Sequence, residues 1–182
     1  MPPEVVEALN GEPTTRDARP LFVVPEYQVP LPGGARPSRN DIWLRAETRS
    51  GLASITVDGK ASESFGRNLG DWYGGRSDGK EVRLRFICDQ LGIAFPPPNE
   101  IKYSLLQRAV AALIEARRFH AGSAVMLVHS FSTDDSGKEH FDRLLELLRL
   151  KARAGEVATK KAPCGVNLCF AWVRGDGRFL QV

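Results

Sequence analysis

Five consecutive residues, Ala124-Val125-Met126-Leu127-Val128, are apolar and follow the longest helical stretch of the chain. A strand that is apolar on both faces must be covered on both, in the interior of a sheet with helices above and below. The helix ahead of it is expected from Ile101 to about Phe119, capped by Asn99. Its apolar stripe is Ile101, Leu105, Leu106, Ala109, Leu113 and Ala116 or Ala112. A strand, a long helix and a buried strand make a crossover unit, so parallel pairing is expected where Ala124–Val128 enters. The fold class that follows is α/β, a three-layer αβα domain around a central mixed sheet.

The strand that feeds the crossover belongs to a hairpin. The segments D-I-W-L-R-A-E, from Asp41, and L-A-S-I-T-V-D-G-K, ending at Lys60, alternate as half-buried strands do, with Thr48-Arg49-Ser50-Gly51 between them. An even-numbered turn sets Ile42 against Val57, Leu44 against Ile55 and Ala46 against Ala53. A three-residue loop with Gly51 left-handed would slip the register by one and throw Asp41 to the other face. The matched apolar pairs favour the even register. It places Asp41 opposite Asp58, with Cβ atoms roughly 4.5–5.5 Å apart, and Lys60 on the same polar face.

Around this core the sequence predicts a helix from Pro3 to Leu9, a strand at Leu21–Val24 and a rigid, proline-rich passage up to Pro37. A helix capped by Asp78 ends at Gly92. Ser136 and Glu139 form a capping box for a helix from Lys138 to Ala154. Strands follow at Val166–Val173 and Phe179–Val182. No repeat or domain break interrupts the chain, which reads as one domain over residues 1–182.

Two carboxylates a metal diameter apart suit a hard divalent cation, since Mg²⁺ takes one or two carboxylates and completes its shell with water and phosphate oxygens. A lysine beside them can orient a water or stabilise developing charge. The ordinary alternative is a solvated Asp–Lys pair of little energetic weight. Asp58 and Lys60, lying at a strand end, are expected to tolerate replacement by alanine without loss of the fold, with relief of the repulsion at the site stabilising the metal-free protein.

The chain has 182 residues, 42% of them hydrophobic, and a net charge of +3. That composition is ordinary for a globular protein, and the charge permits a nucleic-acid partner without demanding one. Three cysteines without C-x-x-C spacing and three scattered histidines argue against a disulfide framework, a zinc site or a histidine metal centre. No phosphate-loop or dinucleotide fingerprint is present. No signal peptide or membrane-spanning run is found, so a cytoplasmic protein with no membrane partner is expected.

An αβββαβ order with Asp41 on the second strand and Asp58-Gly59-Lys60 on the third resembles the PD-(D/E)XK superfamily, the restriction-endonuclease-like fold. Asn40 stands where the motif's name has proline. Within the superfamily the chain looks most like an uncharacterised bacterial family. The resembling segments are L-P-G-G-A-R-P-S-R-N-D-I-W-L, V-D-G-K-A-S-E-S-F-G, I-K-Y-S-L-L-Q-R-A-V-A-A-L-I-E-A-R-R-F and A-V-M-L-V-H-S-F. The resemblance implies Asp41, Asp58 and the Gly59 carbonyl as ligands of Mg²⁺ or Mn²⁺. It implies Lys60 as the water-positioning group and a supporting Gln or basic residue on the long helix, which Gln107 or Arg108 would match. Gln107 is the one taken as a catalytic candidate. A polar edge beside a buried stripe explains Gln107 equally well.

The expected activity is therefore a Mg²⁺-dependent phosphodiesterase acting on nucleic acid, DNA foremost. The competing reading is a catalytically inactive binding or regulatory module on the same fold. The modest net charge argues mildly for the second, unless a homodimer builds the groove from two subunits. His129, Asp134 and Asp135 are explained better as a hydrogen-bonded core histidine and a solvated turn.

Overall fold

The computed structural model describes residues 1–61 and 63–180. Its elements run α1 (Pro3–Asn10), β1 (Arg19–Val29), β2 (Ser38–Thr48), β3 (Gly51–Lys60), α2 (Leu69–Tyr73), α3 (Asp78–Leu91) and α4 (Tyr103–Arg118). Then come β4 (Ser123–Ser130), α5 (Lys138–Leu147), β5 (Val157–Lys161), β6 (Asn167–Arg174) and a 3₁₀ turn at Gly177–Leu180. The strands form one mixed sheet in the order β1-β2-β3-β4-β6-β5. β3, β4 and β6 are parallel neighbours, while β1 and β5 close the edges antiparallel. The fold is α/β.

β4 explains the layering. Ala124, Met126 and Val128 pack into the cluster under α3, α4 and α5, whereas Val125 and Leu127 join Val5, Ala8 and Leu9 of α1 on the other face. Alternation across the strand feeds two cores, and none of these five β4 residues is more than 1% exposed. α4 crosses from β3 to β4 with Leu105, Leu106, Ala109 and Leu113 wholly buried. Among the described residues, no helix is long and apolar enough to cross a membrane.

The hairpin adopts the even register: Ile42 pairs with Val57, Leu44 with Ile55 and Ala46 with Ala53, around an Arg49-Ser50 turn closed by Thr48 and Gly51. The middle of the face expected to be polar and open, at Trp43, Ser54, Thr56 and Asp58, is instead buried beneath α4, while Asp41 and Glu47 stay exposed. Trp43, 2% exposed, stacks on Tyr27 and Phe119 at 4.7 and 4.9 Å, and its indole N–H donates to Ser54 Oγ at 3.0 Å. Period-2 alternation cannot foresee this, because small hydroxyl residues and a tryptophan count as polar or ambiguous until a helix is laid over them.

Other boundaries moved for identifiable reasons. β1 runs through Pro20 and Pro25, which is tolerated because it is an edge strand and proline lacks only a donor. α3 is capped by Ser77, whose Oγ accepts from Lys80 N–H at 3.3 Å, not by Asp78. Left-handed Gly92 ends that helix, as the sequence indicates. α4 begins after Lys102 without the Asn99 cap, and α5 begins after left-handed Gly137 without the Ser136–Glu139 box. α5 stops at Leu147, well short of Ala154, and the Val157–Lys161 edge strand was not legible. The expected strand at Phe179 gives way to the 3₁₀ turn; its remaining residues, 181 and 182, lie outside the described residues.

The L-P-G-G-A-R passage ahead of β2 is held by a buried arginine. Arg83 donates to the carbonyl oxygens of Leu31, Pro32, Gly34 and Arg36 at 3.1, 2.9, 2.8 and 2.7 Å. Gly33 has φ +78°, and a Cβ there would sit 2.7 Å from Arg83 N and collide with Gly79 O. Left-handed strain alone costs about 1–2 kcal/mol in a residue bearing Cβ. Gly33→Ala is therefore expected to lower unfolding free energy by about 2 kcal/mol, as measured by urea denaturation. An unchanged midpoint would show that the loop relaxes freely away from α3.

Candidate active site

Antiparallel β2 and parallel β3 and β4 bring three chemical groups to one end of the sheet, at the carboxyl edge of the parallel strands, where α/β folds commonly bind ligands. Asp58 is 2% exposed, and its Oδ1 accepts from Lys60 Nζ at 3.0 Å. Asp41, exposed at the mouth, accepts from Gly59 N–H through Oδ2 at 2.7 Å. Asp41 lies near enough that its charge raises the Asp58 pKa. Asp58 and Lys60 thus lie on the face that α4 covers, with Asp41 exposed beside them at the Gly59 amide. Lys60 is further held by Glu63, whose Oε1 is 3.6 Å from its Nζ, and by the Phe65 ring, 5.2 Å below it.

α4 adds a second cation. Arg108 Nη1 stands 2.9 Å from Asp58 Oδ2. The approach is an ion pair but not an aligned hydrogen bond, so Asp58 Oδ2 has opposite charge beside it and no donor pointed at it. Gln107 is half-buried on the same helix, and its side chain makes no hydrogen bond or ion pair among the described residues. Arg108, rather than the catalytic candidate Gln107, reaches the acid. The signal was available: Leu105, Arg108, Ala112 and Glu115 recur at helical spacing, so a charged residue at 108 lies on the stripe that faces the sheet. Ser130, beside Lys60 in the β3–β4 register, is fully buried and its hydroxyl lacks a partner.

Burial pushes the Asp58 carboxyl above the ordinary range; the charges of Arg108 and then Lys60 pull it back, and Asp41 pushes it up again. The acid is thus a charge-compensated buried group, and deleting it would take the counter-charge from Arg108 and leave Lys60 with Glu63 alone. Loss of Asp58 would relieve its repulsion with Asp41 but would also break the ion pairs to Lys60 and Arg108, and removing one partner of a buried ion pair is destabilising.

A divalent cation fits what is present. Among the described residues no three or more His, Cys, Asp or Glu side chains gather to hold a metal, so a zinc-type cage is not offered. Two carboxylates are offered, one exposed and one with an oxygen that no donor addresses. That is the donor count Mg²⁺ accepts when water and phosphate complete its shell. The Gly59 carbonyl remains the expected third ligand.

A family model for a domain of unknown function, DUF6946, matches residues 1–177. The chain belongs to the DUF6946 family. No curated protein matches it, and neither does any solved structure. The DUF6946 match spans both core layers and every residue of the site.

The remaining candidates sit elsewhere. His129 Nε2 meets Glu4 Oε1 at 2.9 Å on the α1 face, away from Asp58. Asp135 pairs with Arg174, and Asp134 accepts from Ser136 N–H at 3.0 Å, as a turn requires. The second charged residue of the α4 stripe, Glu115, is fully buried; it accepts from the Tyr27 hydroxyl at 3.1 Å and pairs with Arg118. Burial raises its pKa above 4.5, against the pull of Arg118 and Tyr27. A carboxyl whose folded pKa is raised contributes stability below its unfolded pKa and loses it as pH rises through the folded value. Unfolding of Glu115→Gln and wild type across a pH series is therefore expected to show the variant gaining relative stability as pH rises above 4.5. A drift in the other direction would mean that Arg118 outweighs burial.

Proposed function

We propose that this chain is a metal-dependent phosphodiesterase acting on nucleic acid, with DNA the foremost substrate, and that it belongs to the PD-(D/E)XK superfamily. The observation that carries the reading is the meeting of Asp41, Asp58 and Lys60 at the end of β2 and β3, with Asp58 Oδ2 left without an aligned donor. With α2 and α3 inserted between β3 and α4, the elements α1, β1, β2, β3, α4 and β4 run in the sequence that an αβββαβ core requires.

Asp41 and Asp58, with the Gly59 carbonyl, would hold Mg²⁺ or Mn²⁺. Such an ion lowers the pKa of a bound water and neutralises charge on a phosphoryl group. Lys60 does the positioning: its ammonium is fixed by Asp58, Glu63 and the Phe65 ring, so it can hold a water's oxygen without reorganising. Burial of Asp58 and Lys60 keeps bulk water from screening these charges. A guanidinium such as that of Arg108 on α4 is a favourable partner for phosphate oxygens.

The second reading, a non-hydrolytic nucleic-acid-binding or regulatory module, draws on the fact that Asp58 is already flanked by two cations. Calorimetry with Mg²⁺ and Mn²⁺, followed by cleavage assays on mixed DNA and RNA, separates the two. Micromolar-to-millimolar metal binding with metal-dependent cleavage supports the enzyme. Nucleic-acid binding with neither metal uptake nor cleavage supports the module.

A further inference from the structure

Two buried-site arginines in this chain are held in opposite ways. Arg83 donates to four backbone carbonyl oxygens, none farther than 3.1 Å, and its role is to fix a loop. Among the described residues, Arg108 has only a marginal backbone contact, Nε to Arg39 O at 3.4 Å, besides its unaligned approach to Asp58 Oδ2 at 2.9 Å. Its side chain is 15% exposed, against 8% for Lys60. Lys60 makes the aligned hydrogen bond to the other oxygen of the same carboxylate and is further held by Glu63 and Phe65. Of the two cations on Asp58, Arg108 is the one that can leave.

Resting on the metal-site reading above, we infer that Arg108 is exchanged between Asp58 and the substrate: its guanidinium occupies Asp58 Oδ2 in the metal-free protein and is released to grip a substrate phosphate when a divalent cation binds that oxygen. A guanidinium and a divalent cation repel at one carboxylate oxygen. The backbone of α4 stays put, because Leu105, Ala109 and Ala112 around Arg108 are wholly buried; only the long side chain swings. Once free at the mouth, its planar fork matches the two oxygens of a phosphodiester better than an ammonium would. Metal binding and phosphate binding are then coupled through a single residue, and by linkage each strengthens the other equally.

The test is calorimetric titration of Mn²⁺ into wild type and Arg108→Gln, repeated with a short DNA duplex carrying non-cleavable phosphorothioate linkages. Arg108→Gln is expected to bind Mn²⁺ alone about tenfold more tightly, because a competing buried cation has been removed. In wild type the duplex and Mn²⁺ should strengthen one another; in the variant that mutual gain should vanish. Equal or weaker Mn²⁺ binding by Arg108→Gln, or an undiminished coupling, overturns the exchange while leaving the metal site standing. Absence of Mn²⁺ binding in both proteins overturns exchange and metal site together. Should Arg108→Gln fail to fold, Arg108→Lys keeps a charge on Asp58 without the fork. It is expected to hold Mn²⁺ as wild type does and to lose the coupling, and retained coupling there would equally refute the exchange.

Discussion

Lys60→Ala is expected to lower metal-dependent cleavage of DNA by about 10²–10³-fold, the usual cost of deleting one preorganised charge-stabilising group. Mn²⁺ binding should survive the change, since Lys60 contributes no oxygen ligand and its removal frees Asp58 Oδ1 from a 3.0 Å hydrogen bond. Asp58→Asn should abolish both cleavage and metal binding, because it neutralises one of the two carboxylates proposed to hold the metal. The amide is isosteric with the acid, yet it leaves Lys60 and Arg108 facing a neutral group at a position that is 2% exposed. A loss of stability therefore accompanies Asp58→Asn, and each variant needs an unfolding curve beside its activity. Equal residual cleavage by wild type and both variants would assign the activity to a contaminant or to another site.

Trp43→Ala carries the largest expected effect on folding, about 3–5 kcal/mol, the range for deleting a large buried aromatic. The indole lies between Tyr27 and Phe119, bridging the β1–β2 edge and the end of α4, and its N–H satisfies Ser54 in the hairpin. Removing it opens a cavity beneath α4 and leaves the Ser54 hydroxyl without this donor. Domains of this size are stable by only about 5–15 kcal/mol, so the variant should unfold at markedly lower urea. It should also bind Mn²⁺ less well, because Trp43 and Asp41 share a strand and a face. A stability loss under about 1 kcal/mol would place the docking of α4 elsewhere, such as in the Leu105–Leu113 stripe alone.

The hairpin register was legible because apolar residues come in matched cross-strand pairs, and a one-residue slip would expose all of them. That register alone set Asp41 and Lys60 on the face of Asp58. The central strand was equally legible, since five apolar residues in succession have no stable half-buried solution. Local cues were weaker at the edges. Val157–Lys161 carries few apolar residues and becomes a strand only because β6 offers it an unpaired edge. Asn99, and Ser136 with Glu139, have the right chemistry for caps, but the chain enters α4 and α5 from other residues.

The sequence by itself determined the α/β class, the order of the elements that form the core, and the pairing that gathers two acids and a lysine at one end of the sheet. Each follows from short-range periodicity, which acts between neighbours and can be read without knowing the fold. Only the tertiary structure decided that Asp58 is buried, that Arg108 rather than Gln107 reaches it, and that the middle of the hairpin's polar face lies beneath α4. Those outcomes depend on how α4 is rotated about its axis and how closely it docks on the sheet. Packing across the whole core fixes both, and adjacent residues on a helix differ by about 100° in direction. A one-position difference on α4 therefore separates a residue that faces the acid from one that does not.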